Sequence, residues 1–297
     1  MTVGMRYFCV SLAPAVDVTM ALERVPEDGE VMKNIYDHVT PGGKGLNVAR
    51  WLAVRGAFVS CGGFLGSDDA ALFRRELGRY GIGDRFSLVE GPVRRNETIL
   101  APGYGFKLNR KAYPNLPERR CLVPDDLSGV VAILSGSLPG EFKPEYYVDL
   151  IGRLRKAGAA KVVFDSSGEA LKVGLKAKPD LIKPNADECA DLVGFRPQTP
   201  EEFKRATEIL RRDAGEVLIS DGANGCWFNG ELVPAPEVHV LDTTGAGDVL
   251  LAEYCFSGNR GFSVMAASSA CKMPGGEPPV EWLENCRREG RVPGVRK

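Results

Sequence analysis

Leu241-Asp242-Thr243-Thr244-Gly245-Ala246-Gly247-Asp248-Val249-Leu250-Leu251-Ala252 is the stretch that decides how the rest of this chain is read. Two glycines one residue apart follow the threonine pair, and behind Asp248 the sequence turns apolar at helical spacing. The pattern predicts a tight turn that opens a helix. Backbone N–H groups left free at such an opening, together with the positive end of the helix dipole, make an anion site. A carboxylate placed beside an anion site is electrostatically awkward unless it has a task. Accepting the proton of a hydroxyl that attacks a phosphoryl group is such a task. The structural alternative is a glycine-rich turn with an aspartate cap, and the rest of the chain has to decide between the two.

Composition narrows the choice. The chain has 297 residues, enough for one large α/β domain with a substantial core. A formal net charge of −1 gives no electrostatic footprint for nucleic acid or an anionic membrane. Hydrophobic residues make up 44% of the chain, ordinary for a globular protein, and no apolar run approaches a membrane span. Met1 to Val10 does not have the pattern of a signal peptide. The eight cysteines are scattered without a CxxC pair, as buried thiols in a reducing cytoplasm would be. Only His38 and His239 are present, so His-based metal sites and Ser/His triads are nearly excluded, and a turn or strand-end position accounts for each.

Read in order, the chain alternates strands and helices. Arg6 to Leu12 is a candidate central strand, and Asp17 to Leu22 and Val31 to Thr40 alternate polar and apolar, as half-exposed strands outside the main core do. Asp17 stands at a strand end, where a turn role is the plain alternative. Pro41 to Arg50 again places glycines before a helix, with Lys44 and Asn47 suited to hydroxyls or phosphate. Phe58 to Leu65 is a strand, and Asp68 or Asp69 is expected to cap a helix over Ala70 to Tyr80. Phe86 to Glu90 and Val93 to Ala101 are β-like, whereas Ala101 to Pro117, rich in proline and glycine, is expected to be loop. Val130 to Leu134 is the continuous apolar run of a parallel strand covered on both faces. Beyond it, strands over Lys161–Phe164, Asp180–Ile182 and Glu216–Ser220 alternate with helices, and each closes on a glycine or polar cluster. In an open α/β sheet ligands bind at that carboxyl edge. Trp227-Phe228 and Glu231 to Val233 form a predicted hairpin, and helices over Phe262–Lys272 and Pro279–Arg288 end the chain.

Gly42-Gly43-Lys44-Gly45-Leu46-Asn47-Val48-Ala49, Ser135-Gly136-Ser137-Leu138-Pro139, Asp165-Ser166-Ser167-Gly168, Lys183-Pro184-Asn185-Ala186-Asp187-Glu188 and Asp242 to Asp248 follow one another in this order. On these motifs the sequence resembles the ribokinase-like carbohydrate kinases, also called the phosphofructokinase-B family, over nearly its whole length. The resemblance implies one kinase domain over residues 1–297, a three-layer α/β/α fold with a mostly parallel central sheet. A small β-sheet lid is expected from about residues 13–40 and 88–108. It implies transfer of the γ-phosphoryl of ATP to a sugar hydroxyl. In that scheme Asp248 is the base and the amides of Gly245, Ala246 and Gly247 hold the transferring group. Asp17, Gly43, Lys44, Asn47, Arg94, Asn96 and Ser137 are expected at the acceptor. Lys183, Asn185, Asp221, Gly222, Gly225 and Thr243 are expected at the nucleotide, with Asn185 and Glu188 orienting Mg2+ through water.

Within the family, the motifs look most like the branch that includes 1-phosphofructokinase and tagatose-6-phosphate kinase. The implied acceptor is a phosphorylated ketohexose: fructose 1-phosphate, fructose 6-phosphate or tagatose 6-phosphate. Where that branch carries Thr-Arg-x-Asn-x-Lys, this chain has Val93-Arg94-Arg95-Asn96-Glu97-Thr98, so Thr98 replaces a phosphate-contacting lysine. In a strand Arg95 is expected to face opposite to Arg94. Ala13 replaces an asparagine, and Asp221 an apolar residue. Glu253 stands where a glycine normally lets the catalytic helix pack closely; the sequence offers no physical account of it, though a slight helix rotation would let it face solvent. A kinase of an unphosphorylated sugar or nucleoside, and a non-catalytic sugar-phosphate binder, are the alternative readings. A homodimer formed through the lid is expected, because its exposed strands leave edges that soluble proteins cover.

Overall fold

The structure is a computed structural model and describes residues 6–32, 36–113, 116–117 and 119–293. In chain order the first strands are β1 (Arg6–Ser11), β2 (Ala15–Ala21) and β3 (Tyr36–Gly42), followed by helix α1 (Lys44–Val54). Then come β4 (Phe58–Gly66), α2 (Ala70–Tyr80), β5 (Gly83–Val89), β6 (Arg94–Ala101), β7 (Tyr104–Asn109) and β8 (Val130–Ser135). The next elements are α3 (Tyr146–Lys156), β9 (Lys161–Asp165), α4 (Gly168–Gly174), β10 (Leu181–Ile182), α5 (Ala186–Val193) and α6 (Pro200–Leu210). The chain closes with β11 (Glu216–Ser220), β12 (Cys226–Phe228), β13 (Glu231–Val233), α7 (Ala246–Ser257), α8 (Arg260–Ala270) and α9 (Val280–Arg288).

Nine strands form the main sheet in the order β13-β12-β11-β10-β9-β8-β1-β4-β5. From β11 to β5 every pairing is parallel, and at one edge β12 pairs antiparallel with both β11 and β13. The apolar strands predicted from Arg6 and Val130 lie side by side at its centre, with Phe8, Cys9, Ile133 and Leu134 essentially free of solvent. Helices α3 to α6 pack successively against one another, and α1 packs with α2 and α7, and α7 with α8. The two groups cover opposite faces of the sheet and make the three layers.

A second sheet of four strands, β3-β2-β6-β7, stands apart from the main one. Three of its strands were expected. The strand foreseen over Val31–Thr40 is formed over Tyr36–Gly42, with residues 33–35 outside the described residues and Val31 and Met32 in no regular element. Leu88 and Val89 end β5 on the edge of the main sheet and contribute nothing to the small one. The expected loop over Ala101–Pro117 instead contains β7, paired antiparallel with β6. Pro102 and Gly103 form the turn between the two, and Tyr104, Phe106 and Leu108 supply the period-two pattern that the glycines obscured.

The structure also resolves two readings of acidic residues at helices. Asp68 and Asp69 lie in a 3-10 turn before α2 without capping it, and the Asp69 carboxylate accepts the Val93 amide at 2.9 Å instead. Glu253 does not face solvent. It is fully buried on α7, where Oε2 accepts from Trp51 Nε1 of α1 and from Nε of Arg55, the residue that caps α1, both at 2.8 Å. The space that a glycine would leave is filled by an ion pair that ties α7 to α1.

Candidate active site

Helices α1 and α7 open beside each other, and the site is built where they do. At α7 the turn depends on Gly245, whose φ of 77° favours glycine and whose Cβ would stand 2.5 Å from the Gly276 backbone. Among the described residues the Ala246 amide donates to the Thr243 carbonyl at a long 3.3 Å, while Gly245 and Gly247 donate to no protein acceptor. A Cβ on Gly247 would lie 3.2 Å from Lys183 Nζ, so the buried lysine amine rests directly on this opening. Two amides and an ammonium therefore converge at one helix N-terminus, an arrangement for an anion.

Asp248 lies in the first turn of α7, buried, and Oδ2 accepts from Asn47 Nδ2 of α1 at 2.8 Å. Burial pushes its carboxyl up to about 6, with Asp165 adding to the rise and Lys44, Asn47 and Lys183 opposing it. Asp165, at the end of β9, is equally buried. It accepts from Ser135 Oγ at 2.9 Å and lies 3.5 Å from Lys44 Nζ and 3.6 Å from Lys183 Nζ. Burial alone would raise its carboxyl, but Lys183 and Lys44 more than offset that and hold it below the usual range. The Lys44 ammonium is held protonated chiefly by Asp165, against burial, with Asp248 and Glu188 assisting. One carboxylate is thus kept ionised to organise two lysines, and the other is poised near neutral pH.

Most of the residues expected at the acceptor lie around the β2–β6 pairing and the start of α1. Asn96 Nδ2 donates to Asp17 Oδ1 at 2.8 Å across the β2–β6 pairing. Burial raises the Asp17 carboxyl against the Asn96 bond and Arg94. Its carboxylate packs on Gly42 so closely that any Cβ there would lie 1.8 Å from Oδ2. Gly43, with φ of 118°, opens α1 and sets the direction of Lys44 and Asn47. Arg94 is half-buried and Arg95 exposed, as opposite faces of a strand require. Ser137 is exposed just beyond the end of β8 and is not drawn into this cluster by any hydrogen bond of its side chain.

On the other side of the Gly245–Gly247 turn lies a cavity of about 780 Å³, within the size range of small-molecule sites. Asn185, Gly222, Gly225, Thr243 and Gly247 line it together with apolar residues such as Val264. Asp221 is not part of its wall; the carboxylate accepts from Asn224 Nδ2 at 3.0 Å and shapes the turn after β11. Asn185 and Glu188 form a reciprocal capping box at the start of α5, with bonds of 2.7 and 2.9 Å. The box uses one oxygen of each side chain, so a water held by the other Glu188 oxygen remains compatible with it. No group of three or more His, Cys, Asp or Glu side chains among the described residues is arranged to hold a metal directly. That donor set fits an ion that keeps its water shell.

Two residues at the site were not singled out from sequence. Asp165 begins the Asp165-Ser166-Ser167-Gly168 motif, and its place at a strand's carboxyl end is the signal that marks it. Lys107, on the unforeseen β7, reaches Asp242 Oδ1 at 2.8 Å and Thr244 Oγ1 at 2.6 Å.

Comparisons with known proteins identify the family. Residues 10–253 match the pfkB family of carbohydrate kinases. The chain is 38% identical to a 1-phosphofructokinase of Haemophilus influenzae, over 86% of this chain and 84% of that protein. It is 35% identical to a 1-phosphofructokinase of Escherichia coli strain K12, over 83% and 82%. Among solved structures it is similar to phosphofructokinase-2 from Escherichia coli in complex with fructose-6-phosphate. That match has a TM-score of 0.76 at 23% identity and covers 90% of this chain and 94% of the other. Ribokinase from Arabidopsis thaliana complexed with ribose and ATP gives 0.73 at 22% identity, covering 95% and 98%. No helix among the described residues is long and apolar enough to cross a membrane. The chain belongs to the pfkB family of carbohydrate kinases and is a phosphotransferase that uses an alcohol group as acceptor.

Proposed function

We propose that this kinase transfers the γ-phosphoryl group of ATP to a hydroxyl of a phosphorylated ketohexose, with fructose 1-phosphate the preferred acceptor. The observation that carries the proposal is Asp248: a buried carboxyl poised near pH 6, held by Asn47 and set beside the free amides of an anion-binding turn. It would take the proton from the attacking hydroxyl as the new O–P bond forms and the bond to the ADP leaving oxygen breaks. Gly245 and Gly247 amides, with Lys183, would neutralise charge on the transferring group. Magnesium held through water by Asn185 and Glu188 would shield the nucleotide phosphates. The 780 Å³ cavity suits the rest of the nucleotide.

Acceptor choice rests on the small sheet, which we read as a lid. Its inward face carries Asp17 and Asn96 for sugar hydroxyls and Arg94 for an acceptor phosphate, near Lys44 at the start of α1. The named activity of the Haemophilus influenzae and Escherichia coli relatives supports the same acceptor. The outward face of the lid exposes Val39, Phe106 and Leu108. A second copy pairing lid to lid would cover that face and its edges, giving a homodimer. Eight free cysteines suit a reducing cytoplasm.

A panel of sugars and sugar phosphates with coupled ADP detection tests the acceptor. Fructose 1-phosphate should be turned over with at least ~10²-fold higher kcat/KM than fructose, as charge-assisted contacts to phosphate allow. Equal turnover of the two would refute a phosphorylated acceptor, and preference for a nucleoside would favour the alternative kinase reading.

A further inference from the structure

Lys107 belongs to the lid, yet its ammonium is bonded to the loop that opens α7, some 135 residues away in sequence. Its strand position explains the direction. On β7, Lys107 pairs in register with Thr98 of β6, which is buried, while its neighbours Phe106 and Leu108 point to the opposite, exposed face. The side chain therefore crosses from the lid's inward face to the body of the protein.

Its partner, Asp242, is a hub. Oδ1 accepts from Lys107 Nζ, from the Thr244 amide at 2.9 Å and from Thr244 Oγ1 at 2.7 Å, while Oδ2 accepts the Gly275 amide at 3.1 Å. The Gly275-Gly276 turn reaches the other edge of the lid. A Cβ on Gly275 would touch Thr40 Oγ1 of β3 at 3.0 Å, and His38 Nε2 of the same strand lies 3.3 Å from Glu277 Oε1. Gly276 in turn packs on Gly245 and on Asn47 Nδ2, the group that holds Asp248. Both edge strands of the lid, β3 and β7, thus converge on one buried carboxylate, and that carboxylate fixes the residue immediately before the Gly245 turn. Burial opposes ionisation of Asp242, but its donors more than offset it and hold the carboxyl below the usual range.

We propose that Lys107 is a positioning residue: bonded to Asp242 and Thr244, it latches the closed lid to the Gly245–Gly247 turn, so that covering the acceptor and aligning the anion site are one event. The functional part of this inference rests on the phosphoryl-transfer reading of the turn; the latch itself does not. The pair is partly exposed on the lysine side, which lets it open and reform during turnover.

Hydrogen–deuterium exchange on the ligand-free full chain tests the latch without any assumption about substrate. Lys107→Met should raise exchange at residues 104–109 and 243–246 by ~10-fold or more, while leaving the β8–β9 core unchanged; Lys107→Arg should restore most of the protection. Steady-state kinetics test its consequence. With the acceptor that the parent uses, Lys107→Met should raise acceptor KM and lower kcat, each by ~5-fold or more, with ATP affinity by calorimetry unchanged and Lys107→Arg intermediate. Unaltered exchange in Lys107→Met refutes the latch. Raised exchange with parental kcat and acceptor KM leaves a structural tether and refutes its positioning role. If the parent phosphorylates no ketohexose phosphate, the acceptor reading fails while the exchange result still decides the latch.

Discussion

Asp248 is expensive to keep where it is. Its carboxyl titrates at about 6 in the folded protein against an ordinary value of 3.8. That difference corresponds to about 3 kcal/mol of destabilisation when it is ionised. Because the folded value lies above the unfolded one, the relative stability present below pH 3.8 is lost as pH rises through about 6. A cap at a helix start would behave in the opposite sense, since an acid there stabilises when charged. The same titration should appear in catalysis: kcat/KM for the acceptor is expected to fall about tenfold per pH unit below a limb near 6. A pH–rate profile flat from 5 to 8 would contradict a titrating base of this kind. At neutral pH the Asp248→Asn protein should melt above the parent, because the isostere removes a buried charge that has no full counterpart.

At the scale of elements, α1 and α7 have to hold Asn47 and Asp248 in register, and Glu253 is how this chain does it. The carboxylate binds Trp51 and Arg55 one and two turns along α1, and the Arg55 guanidinium lies 4.5 Å from the Phe256 ring centroid. Burial raises the Glu253 carboxyl and lowers the Arg55 guanidinium, so each is ionised at the expense of desolvation, which their pairing and the bond from Trp51 oppose. Glu253→Ala should cost ~3–5 kcal/mol in denaturant unfolding because Arg55 is left buried without its partner. The double replacement Glu253→Met with Arg55→Met should cost less than the single one. A single-mutant loss below ~1 kcal/mol, the scale of an exposed pair, would show that the pair is solvent-screened. None of this was legible locally. The motif order and strand-end clusters revealed the parallel sheet, the turn and Asp248, because those depend on neighbours in sequence. Glu253, Lys107 and β7 depend on partners that only the tertiary fold brings close, and the glycines around Tyr104 hid a strand whose pairing, not its propensity, makes it form.

Across the whole molecule, the small four-stranded sheet, proposed above to be a lid, is the part that exposes a row of large apolar side chains. Its inward face is polar, while its outward face exposes Val39, Phe106 and Leu108 beside the charged Arg95 and Glu97. The proposed lid-to-lid homodimer would account for those exposed side chains. Light scattering at micromolar concentration should give twice the chain mass, and Phe106→Asp should give a monomer that stays folded. A monomeric parent would leave those side chains unexplained and remove the dimer. The same exposure explains why the amphipathic strands at the start of the chain pointed to a flap of sheet while β7 escaped notice: its six residues are all exposed, with no core face to mark them.

The central claim is that the carboxylate of Asp248, and no merely structural role for it, drives transfer. Asp248→Asn keeps the shape of the turn and removes the base. With the acceptor that the parent uses, kcat per folded molecule should fall by at least ~10²-fold, while calorimetry finds ATP and acceptor bound about as tightly as in the parent. A folded mutant that turns over within a few-fold of the parent would contradict the account.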